Sequence, residues 1–183
     1  VKFDAFKILV GTLTAQSKNI LEAKIFIRKD GIIIISANIE ETEKTIAGDL
    51  EIWKNLKQDL STIFEGYENL SNLLAQRTRY ISEKRTTVAI TPKVKVDNAS
   101  DPNFSIVRIE ARDHLGMLYK ISKVFSDLDI QIHSAKVSTQ GGRGIDVFHV
   151  SHQNKKILFE KLVRRTKEKV ISAMMVKNPE EPG

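Results

Sequence analysis

Few side chains in these 183 residues could do chemistry, and one group sits in a pattern with a mechanism: Asp113-His114-Leu115-Gly116-Met117-Leu118. An alternating stretch from Phe104 to Ala111 precedes it and an apolar stripe at helical spacing follows, so it is predicted to join a strand to a helix. The first N–H groups of a helix lack intrahelical partners and lie at the positive end of its dipole. Gly116 lets a ligand approach the backbone closely. A carboxylate could rest on those amides while Asp113 holds an ammonium group, and these are the two charges of a free amino acid. The competing reading is structural, with Asp113 capping the helix.

Other chemistry finds little support. His114, His133, His149 and His152 are the side chains that titrate near neutrality without perturbation. His149 and His152 stand three apart on or just past a strand, and no carboxylate completes a metal set with them. No Gly-x-Ser-x-Gly marks a nucleophile. Gly141-Gly142-Arg143-Gly144 lies between two predicted strands and opens no helix, so it reads as a hairpin turn rather than a phosphate loop. Cysteine is absent, which removes disulfides, thiolate metal sites and cysteine nucleophiles together and fits a reducing compartment; a cytoplasmic location is expected. The net charge of +6 permits an acidic partner, but the basic residues fall in short groups suited to solvated helix faces. The longest apolar run, Ile32-Ile33-Ile34-Ile35, is far below the roughly 20 residues of a membrane span, so no membrane association is expected. The start, Val1-Lys2-Phe3-Asp4, lacks the apolar region of a signal peptide and begins inside a helical pattern, as in part of a longer protein.

The elements that must position the 113–118 loop occur twice. Asn19-Ile20-Leu21-Glu22-Ala23-Lys24-Ile25 lines up with Gln131-Ile132-His133-Ser134-Ala135-Lys136-Val137. Phe3, Phe6, Leu9 and Leu13 match Leu115, Leu118, Ile121 and Phe125 at the same offset. Asp30-Gly31-Ile32-Ile33-Ile34-Ile35 aligns with Arg143-Gly144-Ile145-Asp146-Val147-Phe148 if the second hairpin gains one residue. Two copies are too few for a solenoid and indicate a tandem pair of small α+β domains. In the first copy, a helix over 3–17, with Gly11 at a close packing point, precedes strands over 19–28 and 31–39 around an Asp-Gly turn. A helix over 48–64 with Leu50, Trp53, Leu56, Leu60 and Ile63 on one side follows. Gly66 breaks the pattern, a short helix covers 68–80, and 87–96 is extended, with Pro92 favouring an edge. In the second copy a strand over 104–111, a helix over 115–128, strands over 130–139 and 144–151, a helix over 155–167 and a last strand over 170–177 give β-α-β-β-α-β, the ferredoxin-like order. The first copy lacks its opening strand. The domains are therefore expected at 1–65 and 104–178, with 66–103 as a linker carrying a short helix and an edge strand.

Residues 104–150 resemble an ACT domain, the β-α-β-β-α-β module that binds amino acids, with residues 113–118 in place of that family's Asp-x-x-Gly-Leu-Leu loop. The resemblance is closer still to the C-terminal pair of ACT domains in bacterial enzymes that uridylylate and de-uridylylate the nitrogen-regulatory P-II protein. It is carried by residues 19–25, by Pro92-Lys93-Val94-Lys95-Val96-Asp97-Asn98-Ala99-Ser100, and by residues 109–119 and 132–137. It implies a regulatory region that senses glutamine or a similar amino acid for upstream catalytic domains. It also implies a nucleotidyltransferase parent that uses magnesium and meets P-II, with no cofactor in the region itself. By the same resemblance Asp113 takes the α-amino group and the amides around His114, Leu115, Gly116 and Met117 take the carboxylate. Gln131, His133 and Ser134 line the side-chain end. The sequence departs from the family where His114-Leu115 replace Arg-Pro and Gln131 replaces Asn or Asp. Val1-Lys2-Phe3-Asp4, at the first copy's loop position, lacks the Asp and Gly of that loop.

Two other functions are compatible with parts of this pattern. One is an ACT-repeat sensor that stands alone or serves another enzyme. The other is an RNA-binding ferredoxin-like domain, but such modules stack bases on strand aromatics, and Ile106, Arg108, Val147 and His149 offer none. ACT domains commonly join edge to edge, so association through sheet edges, within the tandem pair or between chains as a dimer, is also expected. With no nucleotide loop and no metal-ligand set in the sequence, the chain alone should transfer no UMP to a P-II-type protein. A radiolabel-transfer assay checks this, and label above background would overturn it.

Overall fold

A computed structural model describes residues 4–28, 30–40, 46–77, 90–140 and 142–175. The first unit begins with α1 (Ala5–Ala15), whose start is fixed by Asp4: its carboxylate accepts the Lys7 N–H at 3.1 Å. Phe6, Val10 and Leu13, at spacings of four and three, fall on one face and are buried. Strands β1 (Ile20–Ile27) and β2 (Ile33–Ile39) form an antiparallel hairpin, with Gly31 at φ +88° in the turn. Helix α2 (Ile46–Phe64) buries Leu56 but leaves Leu50 and Trp53 exposed. Gly66, at φ +80°, follows it, and α3 (Leu70–Arg77) packs back on α1. Asp59 ties the three helices: it receives Gln16 Nε2 at 2.5 Å and the Arg77 guanidinium at 2.5 and 2.9 Å. Of the expected strand over 87–96, residues 87–89 lie outside the described residues, residues 90–92 are not in a strand, and the strand begins at Lys93, just after Pro92.

The second unit is built on a sheet ordered β3-β4-β7-β5, from β3 (Lys93–Asp97), β4 (Ser105–Arg112), β5 (Ile130–Lys136) and β7 (Arg143–His152). The short β6 (Thr139–Gln140) pairs with the start of β7. Helices α4 (Met117–Asp127) and α5 (Glu160–Met174) pack together on one side, and the Phe125 ring meets the Phe148 ring edge-on at 5.2 Å. Two expectations fail at the end of this unit. The helix starts at Glu160, not near 155, because the preceding residues make other bonds. Lys155 bridges His152, the Lys156 ammonium donates to the Asn98 carbonyl at 2.9 Å, and the Ile157 N–H donates to Ser105 Oγ at 2.7 Å. Residues 170–174 continue α5 rather than forming a strand, since Val170 and Met174, four apart, share its buried face. The rest of the expected strand, from 176, lies outside the described residues. The edge place beside β4 is taken by β3, antiparallel to it.

Both copies of the repeat carry a bulge at the same aligned position. Ile20 and Glu22 oppose Ile39 and Asn38, so Leu21 is the extra residue; Ile132 and Ser134 oppose Val150 and His149, so His133 is. This register corrects the alignment of the second strands. The second hairpin is one residue shorter, not longer, because Ile20 to Ile39 spans one residue more than Ile132 to Val150. Asp146 therefore corresponds to Ile35.

The two units meet along an antiparallel seam. The start of α1 touches the end of α4, where Lys7 Nζ donates to Ser126 Oγ at 2.8 Å, and the end of α1 touches the loop before α4. β1 lies alongside β5, although no ladder joins them among the described residues. Gly11 is the tightest point. A Cβ there would stand 2.8 Å from a Leu70 methyl and 2.9 Å from the Tyr119 ring, so α3 and α4 both close on the bare helix backbone. Gly11→Val should lower the unfolding free energy by about 1–3 kcal/mol, as overpacking does. Urea denaturation would measure it, and an unchanged midpoint would show that the seam yields freely.

Candidate functional site

The strand-to-helix loop sits at the C-terminal end of β4 and faces the turn that joins α1 to β1. Asp113 does not cap α4. The N-cap is Gly116, at φ +82°, with no side-chain cap bond. The Asp113 carboxylate instead accepts Thr139 Oγ1 at 3.0 Å and Asn19 Nδ2 at 3.5 Å, and its N–H donates to the Gly142 carbonyl at 2.9 Å. It thus spans from the loop to β6 of its own unit and to the first unit. Asp4, which aligns with Gly116 in the first repeat, does cap its helix and lies 3.8 Å from the Lys7 ammonium.

Around Asp113 the loop is held on several sides. The His114 ring places Nδ1 3.1 Å from the Arg112 carbonyl and Nε2 3.0 Å from Lys120 Nζ. A carbonyl needs a donor and an ammonium needs an acceptor, so these partners assign the neutral Nδ1–H tautomer. The Met117 N–H donates to the His114 carbonyl. The Leu115 and Gly116 N–H groups have no protein partner among the described residues. Gly116 is required twice over: its φ is left-handed, and a Cβ would stand 3.1 Å from the Thr14 methyl across the seam.

These residues enclose a cavity with room of ≈ 20 Å³ for a water-sized group. The loop supplies Asp113, His114 and Gly116, α4 supplies Met117 and Leu118, and the first unit supplies Thr14, Lys18, Asn19 and Ile20. Val137, Thr139 and Asp146 close it. Asp146 is the anomaly. It lies on the core-facing side of β7, in phase with Phe148 and Val150, and is 2 % exposed. Among the described residues its Oδ1 has no hydrogen-bond partner. Burial, and secondarily the Asp113 charge, push its carboxyl up to about 7, against a smaller opposite pull from a Ser138 backbone hydrogen bond.

The structure gathers Asp113, His114, Gly116 and Met117 at the cavity, with Leu115 between them in the loop, and does not bring Gln131, His133 and Ser134 to it. Gln131 pairs with Ser151 at the far end of β7, eight residues or roughly 26 Å from Arg143 beside the loop. His133 stacks on Phe104, with ring centres 4.3 Å apart, and its Nε2 lies 2.8 Å from Ser151 Oγ; burial lowers its pKa. Ser134 faces His149 across the ladder. Helix α4 carries the chain away from the loop before β5 begins, whereas the antiparallel seam brings the start of β1 to it, so Asn19, the repeat equivalent of Gln131, lies beside Asp113. Sequence reasoning missed Thr14, Lys18, Asn19, Thr139 and Asp146. Two signals were available: the Asn19–Gln131 alignment, and an Asp at a core-phased position of an apolar strand.

Residues 93–178, just under half of the chain, match the family described as ACR9-like, ACT-like domain, and the chain is mixed α+β with two sheets. The chain as a whole is similar to bifunctional uridylyltransferase/uridylyl-removing enzymes. It is 28% identical over 162 residues to that of Rhodospirillum rubrum, covering 88% of this chain and 17% of the relative. It is 27% identical over 175 residues to that of Azospirillum brasilense, covering 92% and 18%. The chain thus spans less than a fifth of the length of these relatives. No solved structure gives a significant match. Among the described residues no helix is long and apolar enough to cross a membrane.

Asp146 gives the site a pH signature. In the folded chain it titrates near 7, against an ordinary value of 3.8. Between these values the native state holds one proton more than the unfolded chain, so this group's contribution to stability falls as pH rises, by at most ~1.4 kcal/mol per unit. Asp146→Asn, which imitates the protonated acid, should gain on the wild type between about pH 4 and 7 and hold the gain above. Chemical denaturation of both proteins at pH 5 and 7.5 measures this, and an equal difference at the two values would show that Asp146 is ionised throughout.

Proposed function

We propose that this chain is an amino-acid-sensing regulatory region, with glutamine or a close relative as its ligand. The observation that carries this reading is the placement of the 113–116 loop: the Asp113 carboxylate and Gly116 stand at a cavity built from both units, and among the described residues the Leu115 and Gly116 N–H groups have no protein partner. Asp113 takes the α-amino group, and the Leu115 and Gly116 amides take the carboxylate. Asn19 releases Asp113 and turns to the ligand.

The cavity holds one small group, so a whole amino acid enters only if the seam widens. That requirement supplies a signal. A ligand that binds the parted arrangement more tightly shifts the pair toward it, and coupling of this kind is typically about 1–3 kcal/mol. In this reading the seam reports to a catalytic part of the kind found in the uridylyltransferase/uridylyl-removing relatives, acting on P-II in the cytoplasm, with magnesium chemistry belonging to that part. Among the described residues no group of three or more His, Cys, Asp or Glu side chains could hold a metal.

Asp113→Ala should weaken glutamine binding by about 1.5–3 kcal/mol, the range for a hydrogen bond to a charged group. Asn19→Ala, which removes long contacts from a neutral amide, 3.5 Å to Asp113 and 3.3 Å to Glu40, should change affinity by less than about 1 kcal/mol. Titration calorimetry on the wild type and both variants checks the order. If no amino acid produces heat or a thermal shift in the wild type, the sensor reading fails.

A further inference from the structure

The carboxyl of Asp146 has no structural work that would justify its burial. One oxygen is unpartnered, the residue is almost wholly enclosed, and the aligned position in the first repeat is Ile35, which fills the same strand register with a hydrocarbon. A buried carboxyl with one oxygen unpaired costs stability whichever way it is protonated, and the cost is larger when it is charged. It shares its cavity with a second carboxylate, Asp113. Two like charges in one small enclosure are relieved together by a cation, and the room available suits a single ammonium group.

We propose that Asp146 is a ligand-contacting residue that receives, jointly with Asp113, the ammonium group of the amino compound, and that it releases its proton to solvent as that group binds. The balance is simple: the neutral carboxylic acid and the ammonium cation become a carboxylate–ammonium pair, and one proton leaves to water. No covalent bond to the ligand forms. The inference rests on the amino-acid reading above and adds a proton to it.

The charged or titratable groups sharing the cavity come from three places. Asp113 and His114 belong to the loop, Lys18 to the turn after α1, and Asp146 itself to β7. His114 is committed to the Arg112 carbonyl and Lys120. The influences that move Asp146 are its burial, the Asp113 charge and the Ser138 backbone, so Asp113 is the partner through which a bound cation acts on it. A titration near 7 places the event in the neutral range.

The test uses the chain as it is, with L-glutamine as one probe and methylammonium chloride as the other. Calorimetry of glutamine binding at pH 6 in two buffers of different ionisation heat should show release approaching one proton, falling toward none above pH 8. Affinity should rise with pH up to about 7, by at most tenfold per unit. Asp146→Asn should abolish the release and weaken binding roughly tenfold or more at pH 7.5. Carbon NMR of the Asp146 carboxyl should show methylammonium lowering its titration midpoint. Glutamine binding that is independent of pH and unchanged in Asp146→Asn would overturn this inference and leave the sensor reading standing. A response to methylammonium without any amino-acid binding would keep the ammonium site and end the amino-acid reading. Silence toward both probes would overturn both.

Discussion

The antiparallel contact between the two units is the constraint on which the rest depends. Helices pack at distances set by their side chains, and here a glycine on α1 lets α3 and α4 close on bare backbone. With the end of α1 held against the start of α4, the turn carrying Lys18 and Asn19 has one place to go, beside the 113–116 loop. The loop's own glycine meets Thr14 at that point, so one geometric fact places both walls of the cavity. The Asp59 cluster, which binds the end of α1 to α2 and α3, keeps the first wall from drifting.

Within this frame the two repeats have parted ways electrostatically. The second keeps an Asp in its loop and another in its third strand, both turned to the cavity. The first has an Asp that caps its helix and pairs with Lys7, and an Ile at the strand position. A pair of units with pseudo-twofold packing could hold two equivalent sites, yet the charges are present for one. The uncommitted acid, Asp146, is the costly element, and a group that a fold tolerates at a cost in stability is where a ligand has most to offer.

The edge of the second sheet is closed by β3, and its connection to β4 is locked by Asp97, Asn98, Asp101 and Lys156. Asn98 bridges Ser105 Oγ and the Ile157 carbonyl, which fixes both ends of the connection against the sheet. Closing this edge leaves β5 as the other edge, and β1 lies along it.

Much of this was legible in the sequence because local physics writes it there. Asp30-Gly31 and Gly66 mark places where the backbone needs positive φ, the stripes Phe6-Leu13 and Leu118-Phe125 repeat at helical spacing, and the alternation of 105–112 shows a half-buried strand. The loop at Asp113 was legible for the same reason, since strand, glycine and helix adjoin in the chain. The end of the chain was misread because Val170 and Met174 suit a strand or a helix equally, and only packing against α4 decides. Residues 131, 133 and 134 were joined to the loop on the assumption that a repeat completes its own site. Whether a repeat uses its own strand or its neighbour's depends on how the units face each other, which no local pattern encodes. That Asn19 reaches Asp113 across 94 positions of sequence, and that Asp146 points into the same space with an oxygen unpaired, were decided by the tertiary structure alone.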